Sequence, residues 1–257
     1  ILGVSKCGTT DLYARLSRHP LLLSSANKGP HFWDEKHDIS WYLQLFSKGA
    51  ARMHRGDVAA QSIFVDASSN TLTFAGVGIR GDLRPSPQVL LPQVIGWLQP
   101  HVRLLVMFRD PTERYYSAYW YYDRRYRIYS RRFGNTGAAA FSRMAAADVA
   151  TFTRCRSSAS ARRCARTVFA AAEQLVKGMY SIFLEPWMAT FPAQQLLILR
   201  LEDYRASTSV HMRRVLEFLG LPKPPQRIWR KMISQPRANR RAPGSDPMED
   251  ATRRLLK

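Results

Sequence analysis

The chain has 257 residues, enough to bury a sizeable core as one large α/β domain and no more than two small ones. Its 39 Lys and Arg against 19 Asp and Glu leave a net charge of +20, which selects a polyanionic partner: nucleic acid, an anionic membrane or an acidic polysaccharide. No apolar run approaches the roughly 20 residues that a membrane-spanning helix needs.

The first apolar run, Ile1 to Val4, ends in the loop Gly3-Val4-Ser5-Lys6-Cys7-Gly8-Thr9-Thr10. Leu12 and Leu16 then fall at helical spacing between Thr10 and Ser17, so the loop joins a strand to a helix start. In that setting backbone N–H groups and the helix dipole hold a phosphate. The glycine spacing is that of a nucleotide phosphate loop, yet Thr9 stands where that loop's lysine belongs, and Lys6 lies inside the loop. With no acidic strand end beyond Asp66 to hold magnesium, a kinase or NTPase is disfavoured.

Further strands are predicted at Leu21 to Leu23, Ser62 to Asp66, Arg103 to Phe108 and Gln195 to Leu201. The last two are continuous apolar runs, as in parallel strands covered on both faces. Helices are predicted at Ser40 to Ser47, Gln88 to Leu98, Thr112 to Tyr126, Ala138 to Phe152, Thr167 to Val176, Tyr180 to Phe191 and Ser209 to Leu219. This alternation predicts an α/β fold, a P-loop-like central parallel β-sheet flanked by helices. Arg127 to Gly137 and Cys155 to Arg166 read as polar, Arg-rich connections. The proline-rich stretch Pro222 to Pro247 reads as a loop, making 222–257 a loop-rich C-terminal segment.

Cys155 and Cys164 enclose "CRSSASARRC", which a local disulfide would close in an oxidising compartment; the alternative is two free thiols. The spacing is poor for zinc, and no nearby His or Cys completes four ligands.

Directly after the strand "RLLVMF" comes Arg109-Asp110-Pro111-Thr112-Glu113-Arg114, followed by Tyr115-Tyr116-Ser117. Arg109 at a strand end and Ser117 two turns into the next helix are placed to converge on one anion. Gly-x4-Gly-Thr-Thr between strand and helix, with R-D-P-x-x-R-x-x-S after a later strand, resembles the paired signature of the PAPS-dependent sulfotransferases. The stretches "GVSKCGTTDLYARLSRHP", "HFW", "FRDPTERYYSAYWYY" and "KGMYSIFLEPWMATFPAQQLLILRLEDY" are similar to the Golgi carbohydrate sulfotransferases, from Ile1 to about Arg241.

That resemblance implies a single sulfotransferase catalytic domain over 1–257. The donor would be PAPS (3′-phosphoadenosine 5′-phosphosulfate), the product PAP, and no metal would be required. It implies that Ser5, Lys6, Cys7, Gly8, Thr9 and Thr10 hold the 5′-phosphosulfate and that Arg109 and Ser117 hold the 3′-phosphate, with Arg240, in the basic stretch Arg237 to Arg241, closing over it. Lys6 would stabilise the leaving phosphate oxygen. The acceptor would be an acidic polysaccharide, with chondroitin or dermatan sulfate favoured and modification at the 6-hydroxyl of N-acetylgalactosamine. No recognised nucleic-acid module is present. The resemblance further implies the lumenal part of a type II Golgi membrane protein, its anchor outside these residues.

One position departs from the related enzymes. Their K-E-P-H carries a glutamate where this chain has Gly29, in Lys28-Gly29-Pro30-His31-Phe32-Trp33-Asp34. His31 is the first substitute as base, because imidazole titrates near neutral pH; Asp34, Glu35 and Asp66 follow. His31 packing structurally against Phe32 and Trp33 is the plain alternative. Asp66, in "FVDASSN", would line the acceptor side with Ser68, Ser69 and Asn70, and Trp33 would contact the sugar.

Arg124 lies in an aromatic stretch of seven Tyr and one Trp between Tyr115 and Tyr129, which reads either as an acceptor-binding wall or as a helix with an aromatic core face. Arg131, Arg132, Arg162 and Arg163 are better candidates for polyanion contact. Gly29 also supports a second function, a non-catalytic or weakly active PAP- and glycan-binding protein on the same fold.

Overall fold

The computed structural model describes residues 1–35, 37–58, 61–74, 90–133, 136–236 and 246–257. In chain order the elements are α1 (Thr9–Leu16), β1 (Leu22–Ser24), α2 (Ile39–Gln44), α3 (Ser47–His54), β2 (Ile63–Val65), α4 (Leu91–Leu98), β3 (Leu104–Phe108) and α5 (Pro111–Tyr126). Then follow α6 (Ile128–Phe133), α7 (Ala138–Arg156), α8 (Ala161–Thr167), α9 (Glu173–Val176), α10 (Tyr180–Thr190), β4 (Leu196–Arg200), α11 (Leu201–Ala206), α12 (Thr208–Leu219), α13 (Gln226–Ser234) and α14 (Asp250–Leu255). They form two compact units, Ile1–Phe108 with Pro186–Asn239, and Arg109–Glu185 with Arg240–Lys257.

Among the described residues the first unit holds all the strands, and every pairing among them is parallel. β3 pairs with β4 from Leu104↔Leu196 to Phe108↔Arg200, and β1 pairs with β2 from Leu22↔Ile63 to Ser24↔Val65. The Ile1 to Val4 run lies parallel to β3 through Leu2 N–H to Leu105 O (2.9 Å), Met107 N–H to Gly3 O (2.9 Å) and Val4 N–H to Met107 O (3.0 Å). β3 is buried from Leu104 to Met107, as its apolar run predicts. β4 departs from that expectation: Leu197 and Leu199 are buried, while Ile198 and Arg200 are exposed, so one of its faces stays open among the described residues. α1 buries Leu12 and Leu16, and the stretch expected as a loop after Pro222 contains α13, which buries Trp229 and Met232.

The second unit is helical. Tyr115, Tyr116 and Tyr119 of α5 pack with Ala140, Phe141 and Met144 of α7 as core, while Tyr121 and Tyr126 stay exposed. The helix predicted from Thr167 to Val176 is broken into α8 and α9. α8 begins inside the expected polar connection because the Ser160 side chain accepts from Arg163 N–H at its N-terminus.

Candidate active site

Two glycines shape the loop in the first unit. Gly3 has φ +135°, and a Cβ there would lie 2.4 Å from the Ser69 carbonyl oxygen. Gly8 precedes α1 at φ +88° and offers no side-chain cap. The N–H groups of Thr9 and Thr10 have no carbonyl partner within α1 by helix geometry, so the open N-terminus of this eight-residue helix can receive an anion. A second feature points the same way: Ser5 Oγ is buried with no hydrogen-bond partner among the described residues. Lys6, between them, holds a left-handed backbone at φ 69°, and the Cys7 thiol is buried.

Asp11, the acidic residue of the first turn, would repel an anion if left bare. It is buried and bound by Arg15 Nε at 2.7 Å and by the Tyr204 hydroxyl at 2.9 Å. Arg15 in turn donates to the carbonyls of Met232 (2.6 Å), Ile233 (2.9 Å) and Gln235 (2.9 Å), satisfying the end of α13.

The acceptor-side residues of the sequence reading form one connected network in this unit. His31 Nδ1 lies 2.8 Å from Asp34 Oδ2, which also accepts from Asn70 Nδ2 at 3.1 Å. The turn is made by Asp34 and Glu35 N–H groups donating to the His31 carbonyl. His31 N–H donates to Ser68 Oγ (2.9 Å), which donates to Asp66 Oδ1 (2.6 Å); Asp66 Oδ2 accepts from the Tyr42 hydroxyl (3.1 Å). Among described residues the Nε2 edge of His31 receives no such bond, and its ring is held above the usual histidine pKa, first by the Asp34 hydrogen bond and then by nearby carboxylates.

His31 has a backbone φ of 57°; among the described residues the non-glycine ones with positive φ are Lys6, His31 and Arg127. Arg127 is accounted for as the left-handed cap of α5. The other two are the residues singled out above for chemistry, and such backbone strain concentrates at functional sites. Trp33 packs edge-on against Phe32 with ring centroids 4.9 Å apart and lines a cavity of about 670 Å³ with Tyr42, Phe46 and Asp66. Sequence reasoning missed Tyr42 and Lys28. Lys28 donates to Ala67 O at 3.3 Å, and burial lowers its pKa. Lys28 matches the lysine of the K-E-P-H pattern but Tyr42 has no sequence signal, and the partners of both lie on a distant segment.

In the second unit Asp110 caps α5 by accepting from Glu113 N–H at 2.9 Å. Arg109 sits 3.7 Å from the Glu113 carboxylate, which Arg253 of α14 binds more closely, at 2.6 Å. Ser117 is half-buried on α5, and Arg124, exposed, lies over the Trp120 ring at 5.7 Å. Arg114 is fully buried and donates to Gln174 of α9, a structural duty. Arg240 lies outside the described residues. Cys155 and Cys164 form a disulfide, with Cα atoms 5.6 Å apart. Among the described residues no helix is long and apolar enough to cross a membrane, and no group of three or more His, Cys, Asp and Glu is placed to hold a metal ion.

The sulfotransferase domain family matches residues 1–242. Human carbohydrate sulfotransferase 15 is 31% identical over 100% of this chain and 50% of its own length. Human bifunctional heparan sulfate N-deacetylase/N-sulfotransferase 3 is 27% identical over 86% of this chain and 22% of its own. The chain thus spans about half the length of the first of these relatives, or less for the second. A crystal structure of a sulfotransferase from Alicyclobacillus acidocaldarius superimposes with a TM-score of 0.63 at 19% identity, covering 100% of this chain and 87% of that one, which establishes the shared fold. On the strength of the match over residues 1–242, the chain belongs to the sulfotransferase domain family.

Proposed function

We propose that this chain moves a sulfuryl group from PAPS to a hydroxyl of a glycosaminoglycan-type polysaccharide, with N-acetylgalactosamine of chondroitin or dermatan sulfate the favoured acceptor. The observation that carries the reading is the loop: an uncapped helix start, a buried and unpartnered Ser5 hydroxyl, and Lys6 between them. PAPS, when bound, supplies the sulfuryl group, and PAP is the leaving product.

Each residue then has a task. The Thr9 and Thr10 N–H groups and Ser5 Oγ bind the phosphosulfate oxygens. Lys6 places its ammonium where charge grows on the leaving oxygen, a function that costs no reorganisation because the loop backbone is already set. Arg109 and Ser117 serve the 3′-phosphate, an assignment that rests on the R-D-P-x-x-R-x-x-S motif.

His31 takes the proton of the acceptor hydroxyl on Nε2 as the oxygen–sulfur bond forms and the sulfur–oxygen bond to phosphate breaks. Asp34, held by Asn70, fixes the tautomer that leaves Nε2 as acceptor. Asp66 and Ser68 orient the His31 backbone. The work takes place in an oxidising, lumenal compartment, in keeping with the disulfide.

The test is transfer of labelled sulfate from PAPS to desulfated and 4-sulfated chondroitin, dermatan and heparan chains, with Lys6→Ala as blank. Transfer by the wild type that Lys6→Ala abolishes is expected. Protein that binds PAP but transfers to no chain would instead favour the glycan-binding reading that Gly29 raises.

A further inference from the structure

From Val149 to Ala172 the chain contains no Asp or Glu and five arginines, Arg154, Arg156, Arg162, Arg163 and Arg166, with no lysine among them. The Cys155–Cys164 disulfide joins the end of α7 to α8, and so brings the neighbours Arg154 and Arg156 of one cysteine to Arg163 beside the other. Two of the five have local duties: Arg162 pairs with Glu185, and Arg156 donates to the Ala159 carbonyl of its own turn. Arg154, Arg163 and Arg166 are exposed and have no ion pair among the described residues.

Helix ends explain only part of this. Arg154 suits the negative end of the α7 dipole, but Arg162 and Arg163 occupy the first turn of α8, where a cation is disfavoured. A covalent clamp thus concentrates like charge, part of which the start of α8 disfavours. Arginine in place of lysine matters too, because its planar fork matches sulfate and carboxylate oxygens two at a time. The segment between the cysteines has no aromatic ring on which a nucleic-acid base would stack.

We propose that the α7–α8 turn is an exosite that grips the sulfated acceptor polymer away from the residue being modified. This deepens the proposed function and rests on its reading of the acceptor as an acidic polysaccharide. An exosite raises the local concentration of acceptor units without touching the chemistry, so its effect depends on chain length.

The experiment compares wild type with Arg154→Ala/Arg163→Ala/Arg166→Ala on polymeric chondroitin 4-sulfate and on a tetrasaccharide cut from it. The expected result is a rise of about tenfold in polymer KM relative to tetrasaccharide KM; an unchanged ratio overturns the exosite. If wild type sulfates neither acceptor, the proposed function fails, and the exosite is read separately on immobilised chondroitin sulfate. Elution of the triple variant at lower salt than wild type then upholds it, and elution at the same salt overturns it. Duplex DNA that competes as well per charge as chondroitin sulfate, in wild type but not in the variant, also overturns it by marking a nucleic-acid surface.

Discussion

A Cβ on Gly29 would lie 3.2 Å from Nε2 of His31, so the imidazole occupies the space into which a side chain at residue 29 would grow. The same Cβ would meet the Ala67 carbonyl oxygen at 3.1 Å and Ser68 Cα at 3.3 Å, both backbone atoms with little freedom to yield. Gly29, where the resemblance implies a glutamate, thus makes room for the proposed base. Gly29→Ala is expected to push the ring aside and lower kcat by about tenfold, with Gly29→Glu lower still. A gain of sulfate transfer in Gly29→Glu would remove His31 from the base role.

The pH dependence follows from the Asp34 contact. As a general base His31 works when neutral, and the Asp34 hydrogen bond raises its pKa above 6.5. Activity is therefore expected to rise with pH through a limb above 6.5, and Asp34→Asn to move that limb to lower pH while reducing kcat. A limb that stays put in the variant counts against the pairing. For stability the sign is opposite: the protonated pair stabilises the fold fully below the unfolded value of 6.5, and that contribution fades as pH rises through the raised folded value.

Lys6 combines function with strain. Lys6→Ala keeps the left-handed backbone and removes the ammonium, so kcat is expected to fall by about 10²–10³-fold with little change in Tm. Lys6→Gly removes the charge and the strain together, and is expected to be inactive yet more stable by about 1 kcal/mol. Thermal melts of the two variants side by side decide the matter.

Arg15 is a purely structural prediction. It is buried, neutralises Asp11 under the phosphate loop and binds three carbonyls at the end of α13. Arg15→Ala is expected to destabilise the protein by about 3–5 kcal/mol, read as a drop in denaturant midpoint, because it takes away the cation that neutralises a buried carboxylate.

Arg253 of α14 draws Glu113 toward itself and away from Arg109. With Arg253→Ala, Glu113 competes fully for Arg109, and the Kd for PAP is expected to rise by no more than about fivefold, since the pair is partly exposed. Calorimetric titration with PAP measures it, and an unchanged Kd would detach Arg109 from the 3′-phosphate.

Local rules make the loop and the second motif legible in the sequence. The two glycines of the loop stand where positive φ is required, and Asp110-Pro111 opens α5 by capping rules that depend on adjacent residues alone. His31 and Asp34 are each legible as candidate bases, but their pairing is not. Tertiary structure decided what long-range packing controls: that Ser68 ties the His31 backbone to Asp66, that Tyr42 joins them, that Arg15 reaches the end of α13, and that α13 forms where proline suggested a loop. These depend on partners tens to hundreds of residues away, whose pairing is fixed by burial and hydrogen-bond satisfaction and not by any local pattern.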